Sequence, residues 1–304
     1  RFGALSPQIV GQPFLPYLDI LNDDRECTVD IRTDSVFGQL RYKIVPQLEL
    51  AAGVRWSKET RKLSIFDFHN NTMNIPGAPD DLDITNQLKP GSNRVHSNTW
   101  SPEATLTWTP TDDLTLFGSY KKGYKSGSFS VAVPGTAGQD KSFGDEKVKG
   151  YEIGVKSRLL DRHLLANLAW YDYRYNGLQV GVIEGFVNGS PVINTRNSGG
   201  ARTYGVDLDL QYRPPQLEGL SFNASVNWNR AKYKELSLGC YPNQTVAQGC
   251  NQNPVTVPAT ATHGTTRYLE QNLNGVQMIR APEWSANFGF DYEFPVNSGW
   301  SLRG

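Results

Sequence analysis

Seven side chains in this sequence of 304 residues could hold a ligand between them: the cations Arg55, Arg61, Lys121 and Lys125, the amides Asn197 and Asn229, and the aromatic Tyr233. Four cations around one opening would attract an anion such as a ferric chelate, and an aromatic ring would stack on a catecholate or a sugar. Each could equally hydrate a polar cavity or pair with another part of the protein. Catalysis has weaker candidates, because the sequence holds no Walker loop, GxGxxG, HExxH or GxSxG elbow. His69, His96, His163 and His263 are scattered, with no pair at metal-ligand spacing, so each reads as a solvated polar side chain. Asp207 and Asp209 share one face of an extended segment and could suggest an acid and a base, but such a pair more often lines water. Asp80, Asp81 and Asp83 could bind calcium, yet the EF-hand spacing is missing. The residues therefore predict no enzyme, no metal centre and no cofactor.

These candidates need elements to position them, and composition narrows the choice. Thirty basic and thirty acidic residues cancel, which removes the long-range field that drives binding to nucleic acid. Gly, Trp, Tyr and Phe are plentiful while hydrophobic residues make up only 38%, unlike the aliphatic runs of a parallel sheet. No segment approaches the 18 or so consecutive apolar residues of a membrane-spanning helix. If the chain crosses a bilayer it must do so as a closed barrel, the other structure that satisfies its backbone hydrogen bonds in lipid.

The dominant pattern has period two. Trp284, Ala286, Phe288, Phe290, Tyr292 and Phe294 alternate with Ser285, Asn287, Gly289, Asp291 and Glu293. Leu220, Phe222, Ala224, Val226 and Trp228 interleave with Ser221, Asn223, Ser225, Asn227 and Asn229, and Val206, Leu208, Leu210 and Tyr212 with Gly205, Asp207, Asp209 and Gln211. The Asn, Asp and Glu side chains of the polar rows could not face lipid without a penalty of some kcal/mol each, so they must face water or a plug. Extending the pattern predicts about ten strands, roughly 33–44, 48–62, 98–108, 114–129, 145–157, 163–180, 193–213, 220–236, 280–294 and one from Trp300.

Short Pro-, Gly-, Asp- or Asn-containing connectors alternate with long polar ones, the anatomy of a bacterial outer-membrane barrel whose short side is periplasmic. That polarity is what selects the seven ligand candidates. They have inward parity late in outgoing strands or early in returning ones, and so belong to the extracellular mouth. Trp56, Trp108, Trp228, Trp284 and Tyr212 fall near the ends of the expected strands, as interfacial girdles require, whereas a soluble β-sandwich is rarely so aromatic there. The expected fold is an all-β, transmembrane antiparallel meander barrel, one partial domain over 1–304. The last residues stop inside a strand, and an open sheet exposes edges that lipid forbids, so further strands are expected at both ends.

Cys240 and Cys250 bracket a stretch rich in Asn, Gln and Pro, which suits a loop disulfide in an oxidising compartment; two loop thiols are the alternative. Cys27 points to a mate upstream of Arg1. Residues 1–10 lack the features of a secretory signal, which is expected to have been removed or to lie outside this piece.

Four stretches resemble TonB-dependent receptors. SPEATLTWTPTDDLTLFGSYKKGYKSGSFS, ending at Ser130 and containing GYKSG at Gly123 to Gly127, is similar to their mid-barrel hairpin. Asp145 to Val180 resembles the next hairpin, and Asn197 to Pro214 the following downward strand; Gly53 to Arg61 is similar to an earlier upward one. The resemblance implies a barrel of about twenty-two strands with a plug inside it, a short box that engages TonB, and residence in the outer membrane. No plug, TonB box or closing strand matches in this piece, so these are expected elsewhere in the protein. The implied function is uptake of a scarce nutrient, a ferric siderophore first, with haem, cobalamin and oligosaccharide open. A passive porin is the rival, and a soluble β-rich lectin or enzyme a third reading.

Overall fold

The computed structural model describes residues 25–67, 82–131, 138–187, 190–241, 243–256, 266–297 and 300–303. Ten strands form one wall: β1 (Arg25–Val45), β2 (Leu48–Asp67), β3 (Arg94–Thr111), β4 (Leu114–Lys125), β5 (Glu146–Leu159), β6 (Leu164–Asn176), β7 (Gly200–Tyr212), β8 (Leu220–Lys234), β9 (Trp284–Asn297) and β10 (Trp300–Arg303). Each pairs with the next in chain order, and every pairing is antiparallel. The sheet is a meander, open at β1 and β10, and among the described residues there is no α-helix.

Register sorts the side chains into two sets, because successive residues of a strand point to opposite faces. One rung runs Thr107, Phe117, Gly154, Ala169, Asp207, Asn227, Ser285. The neighbouring rung runs Leu106, Gly118, Ile153, Trp170, Val206, Trp228, Trp284. The first set belongs to the inner face, over which the long loops fold, and the second to the outer face. Outer-face apolar side chains are mostly open, with Leu40 81% and Phe288 70% exposed. Their contacts are cross-strand: Phe222 stacks on Phe288 at 6.3 Å and Tyr120 tilts against Tyr151 at 5.1 Å, pairs that contribute about 0.2–1 kcal/mol each.

Burial is concentrated at the long-loop end. Leu63, Ile65, Ile84, Leu88 and Phe129 make one apolar cluster; Leu178, Ala201, Tyr233 and Leu236 make a second. The connectors there carry small sheets of their own. Gln179–Val187 pairs with Ser190–Asn197, and Ser237–Gly239 and Cys250–Thr256 flank Thr266–Asn272.

Three expected strands are shorter in the structure. The segments predicted as 114–129, 163–180 and 193–213 leave the wall at Lys125 and Asn176 and join it only at Gly200. At Gly127 an added Cβ would lie 2.2 Å from the carbonyl oxygen of Phe143, so the chain departs to let a neighbouring backbone approach. Gly177 and Gly199 have φ of 64° and 57°, the left-handed region, and there the chain turns off the wall into the hairpin. In contrast, β1 and β2 run further than expected. Trp56, paired with Trp100, and Trp228 sit mid-strand and not near strand ends, because their strands continue past them toward the mouth.

Candidate functional site

Among the described residues, two grooves open on the inner face. The lower holds about 560 Å³ and is lined by Glu152, Lys156, Asn167, Asp207, Asp209, Asn227 and Asn287 among others. Its polar groups form a chain: Asn227 donates to Asp207 and, at 3.1 Å, to the Tyr171 hydroxyl. That hydroxyl donates to Asn229 Oδ1 at 3.3 Å, which Thr203 Oγ1 also reaches at 2.7 Å. Asp207 and Asp209 both line this groove, and the Asn227 amide holds Asp207.

The second groove, about 410 Å³, is lined by Phe37, Gln39, Glu103, Arg55 and Lys121. Thus two of the four sequence-predicted cations share a groove. Arg55 is aimed by serines, donating to Ser57 Oγ at 3.1 Å and Ser35 Oγ at 2.9 Å. It makes no ion pair among the described residues. Lys121 lies 3.7 Å from Glu152, which also accepts from the Tyr173 hydroxyl at 3.3 Å. The groove thus sets a guanidinium and an ammonium beside the Phe37 ring and the Glu103 carboxylate, which accepts from Gln39 at 3.2 Å.

The other candidates do different things. Arg61 is half-buried and pairs with Glu59 at 2.6 Å, just short of the first apolar cluster. Lys125 ends β4, exposed, and its carbonyl accepts from Gln179 at 3.3 Å. Asn197 is a brace: its amide nitrogen donates to the carbonyls of Gly177 at 2.8 Å and Gly144 at 2.9 Å, and its oxygen accepts from the Gly144 N–H. Asn229 belongs to the inner-face chain above. Tyr233 is only 8% exposed, packed with Leu236 and Leu178.

The mouth itself is built from loops. A third groove of about 450 Å³ is lined by Ser130, Asp140, Lys141, Asn194, Arg196 and Asn197. Asp145 accepts from the Gly127 N–H at 3.0 Å and from the Ser97 hydroxyl, tying the β4–β5 loop down over β3. Burial pushes the Asp140 carboxyl upward, but the Ser142 side-chain and backbone donors and nearby Lys89 outweigh it and hold it below the usual carboxylate range. The Thr85 hydroxyl and N–H do the same for exposed Asp83. Asp83 is thereby committed to a turn; Asp80 and Asp81 lie outside the described residues, where His69 and His263 also fall. His96 hydrogen-bonds Thr60 and His163 the Arg213 carbonyl, and no group of three metal-ligating residues exists among those described. Cys240 and Cys250 are joined by a disulfide with Cα atoms 5.6 Å apart, as their loop position suggested. Cys27 is exposed on β1.

Sequence reading missed Phe37, Gln39 and Glu103. The β1–β2–β3 register brings them beside Arg55, and only Phe37 left a trace, as an apolar residue at an inward position of β1.

A family model for the TonB dependent receptor-like β-barrel matches residues 6–304. The chain belongs to this family. Among solved receptors it is similar to the ferric yersiniabactin uptake receptor FyuA of Yersinia pestis, with a TM-score of 0.59 and 16% identity over 92% of this chain and 34% of that one. It is similar to the siderophore receptor PiuA of Acinetobacter baumannii, with a TM-score of 0.57 and 16% identity over 88% and 32%. The copper transporter OprC gives a TM-score of 0.55 and 14% identity over 90% and 34%. At these identities the likeness is one of fold, and the chain spans about a third of each receptor's length. As a wall segment of a TonB-dependent receptor-like barrel, the chain pairs a polar inner face with an apolar outer one, and its tight turns make one rim while its folded loops make the other.

Proposed function

We propose that this chain is part of the wall and mouth of an outer-membrane receptor that imports a ferric siderophore, energised through TonB. The reading is carried by one observation: Arg55 and Lys121 share an inner-face groove in a barrel-type meander whose outer face is apolar. A ferric chelate that is anionic and partly aromatic would find two cations and the Phe37 ring there. FyuA is described as a ferric yersiniabactin uptake receptor, PiuA as a siderophore receptor and OprC as a copper transporter, so the likeness favours metal uptake without selecting the cargo. TonB would act through parts of the protein beyond this chain.

The test uses the full-length protein in cells starved of iron. Uptake of radiolabelled ferric siderophores, tried as a panel of catecholates, hydroxamates and mixed chelates, should depend on the protein and on TonB. Arg55→Ala with Lys121→Ala should cut uptake of the transported chelate about tenfold or more, as expected when charge-assisted contacts are lost. Uptake that persists without TonB, together with steady ion conductance through the purified protein, would replace this reading with a passive porin. No uptake of any ferric chelate would remove the siderophore from it.

A further inference from the structure

The outer face of the wall carries a row that the family likeness does not account for. On one rung, Lys122 pairs with Lys149, Lys149 with Arg174, Arg174 with Arg202, and Arg202 with Lys232. Five cations therefore stand side by side across β4 to β8. They have the parity of Ile153, Trp170 and Trp228, and so belong to the outer face; Lys122, at the end of the row, also borders the Arg55 groove. Lys147 and Lys234 continue the positive charge one outer rung nearer the mouth. Lys122, Lys149 and Arg174 are exposed.

Like charges directly opposite each other destabilise a sheet. The described structure shows two carboxylates beside the row, and each is engaged: Asp172 by Arg202 at 2.6 Å and 3.0 Å, and Glu283 by Arg230 at 3.3 Å. The rung immediately below holds Tyr120, Tyr151 and Tyr204 with Asp172 and Arg230 among them, and the next holds Trp170 and Trp228. Aromatic side chains of that kind mark the boundary between hydrocarbon and water in membrane barrels. A strip of cations just beyond the aromatic rungs, on the mouth side, sits at headgroup depth. Phosphate there would neutralise the row, and guanidinium forks at Arg174 and Arg202 suit its oxygens.

We propose that this row docks the phosphate-bearing headgroups of lipids in the outer surface of the membrane. The proposal rests on the outer face meeting lipid, and the experiment separates the two. The full-length receptor, purified in an uncharged detergent, is titrated with diphosphorylated lipid A or with phosphatidylcholine, and bound lipid is counted by native mass spectrometry. The intact protein should prefer the phosphorylated lipid. The variant Lys122→Gln/Lys149→Gln/Arg174→Gln/Lys232→Gln should lose about tenfold or more of that affinity, while Arg174→Lys keeps most of it. Relieved of its repulsion, the quadruple variant should be no less heat-stable than the intact protein in phosphatidylcholine.

Equal affinity of the intact protein and the quadruple variant for lipid A overturns the proposal, as does binding of inorganic pyrophosphate as tight as that of the lipid. If the quadruple variant does not assemble, Lys149→Gln and Arg174→Gln singly should each weaken lipid A binding severalfold, and no change in either overturns it. A protein that binds neither lipid breaks the membrane reading itself, whereas one that binds both alike removes only the strip.

Discussion

The wall and the mouth of this molecule are held together by different means. Along β5 to β9 almost no side chain is buried, and order comes from unbroken backbone ladders with aromatic pairs such as Trp228 and Trp284 laid across them. At the mouth the backbone leaves the ladder. There the chain relies on two apolar clusters, a disulfide and side chains that bind backbone, Asn197 above all. A ladder needs an alternating sequence and a solvent for each face; a loop fold needs particular side chains in particular places. The difference predicts that substitutions in the two regions fail in different ways.

The largest effect should come from the mouth's core. Leu236 is 1% exposed, and Leu236→Ala should cost about 2–5 kcal/mol locally, seen as faster hydrogen exchange over 237–239 and 266–278 with β5 to β7 unaffected. Protection lost equally from the wall would erase the distinction. In the wall the damaging change is a charge: Phe288→Arg should cost about 2–4 kcal/mol of barrel stability in a bilayer, read from folding titrations in vesicles. The same arginine at Asn287, on the inner face, should cost far less.

Opening the disulfide should be milder. Cys240→Ser with Cys250→Ser releases a loop closed over 10 residues, and about 2–3 kcal/mol of local stability should go with it. Limited proteolysis should then cut within 238–279 while the barrel's heat-modifiable migration stays unchanged. Asn197→Ala removes the amide that donates to the carbonyls of Gly144, Asp145 and Gly177, and about 1–3 kcal/mol of loop docking should be lost, again visible by exchange at 144–146 and 177–178.

The smallest effect concerns pH. Asp140 is held below its ordinary value, so its stabilisation of the 138–142 loop is complete above the unfolded carboxylate pKa and fades as pH falls through the lower folded one. The loop should stay docked near neutrality and loosen only in the acid range, an effect that Asp140→Asn abolishes. The carboxylate is 41% exposed, which keeps the change small.

The wall was legible in the sequence because its rule is periodic. Ser285 to Glu293 alternates so regularly that strand, faces and register follow together, and the alternation of tight and long connectors gave the meander its polarity. The mouth was much less legible. Nothing local in residues 163–180 or 193–213 shows that they leave the wall, since an isolated glycine is compatible with a strand and its positive φ is imposed by what packs around it. The same limit applied to ligand candidates. Parity correctly put Arg55 and Lys121 on the inner face, but parity cannot foresee that Asn197 is consumed by backbone carbonyls or that Leu236 covers Tyr233.

The central claim is that one face of this sheet meets lipid and the other water, and a nitroxide scan tests it residue by residue. Single spin labels placed from 284 to 290 in the full-length receptor, with Cys27 replaced by serine, would be read in vesicles for collisions with oxygen and with a water-soluble nickel chelate. The account predicts a period of two, oxygen favoured at 284, 286, 288 and 290, and the chelate at 285, 287 and 289. A scan with no alternation, or with the even positions reached by the chelate, would contradict it.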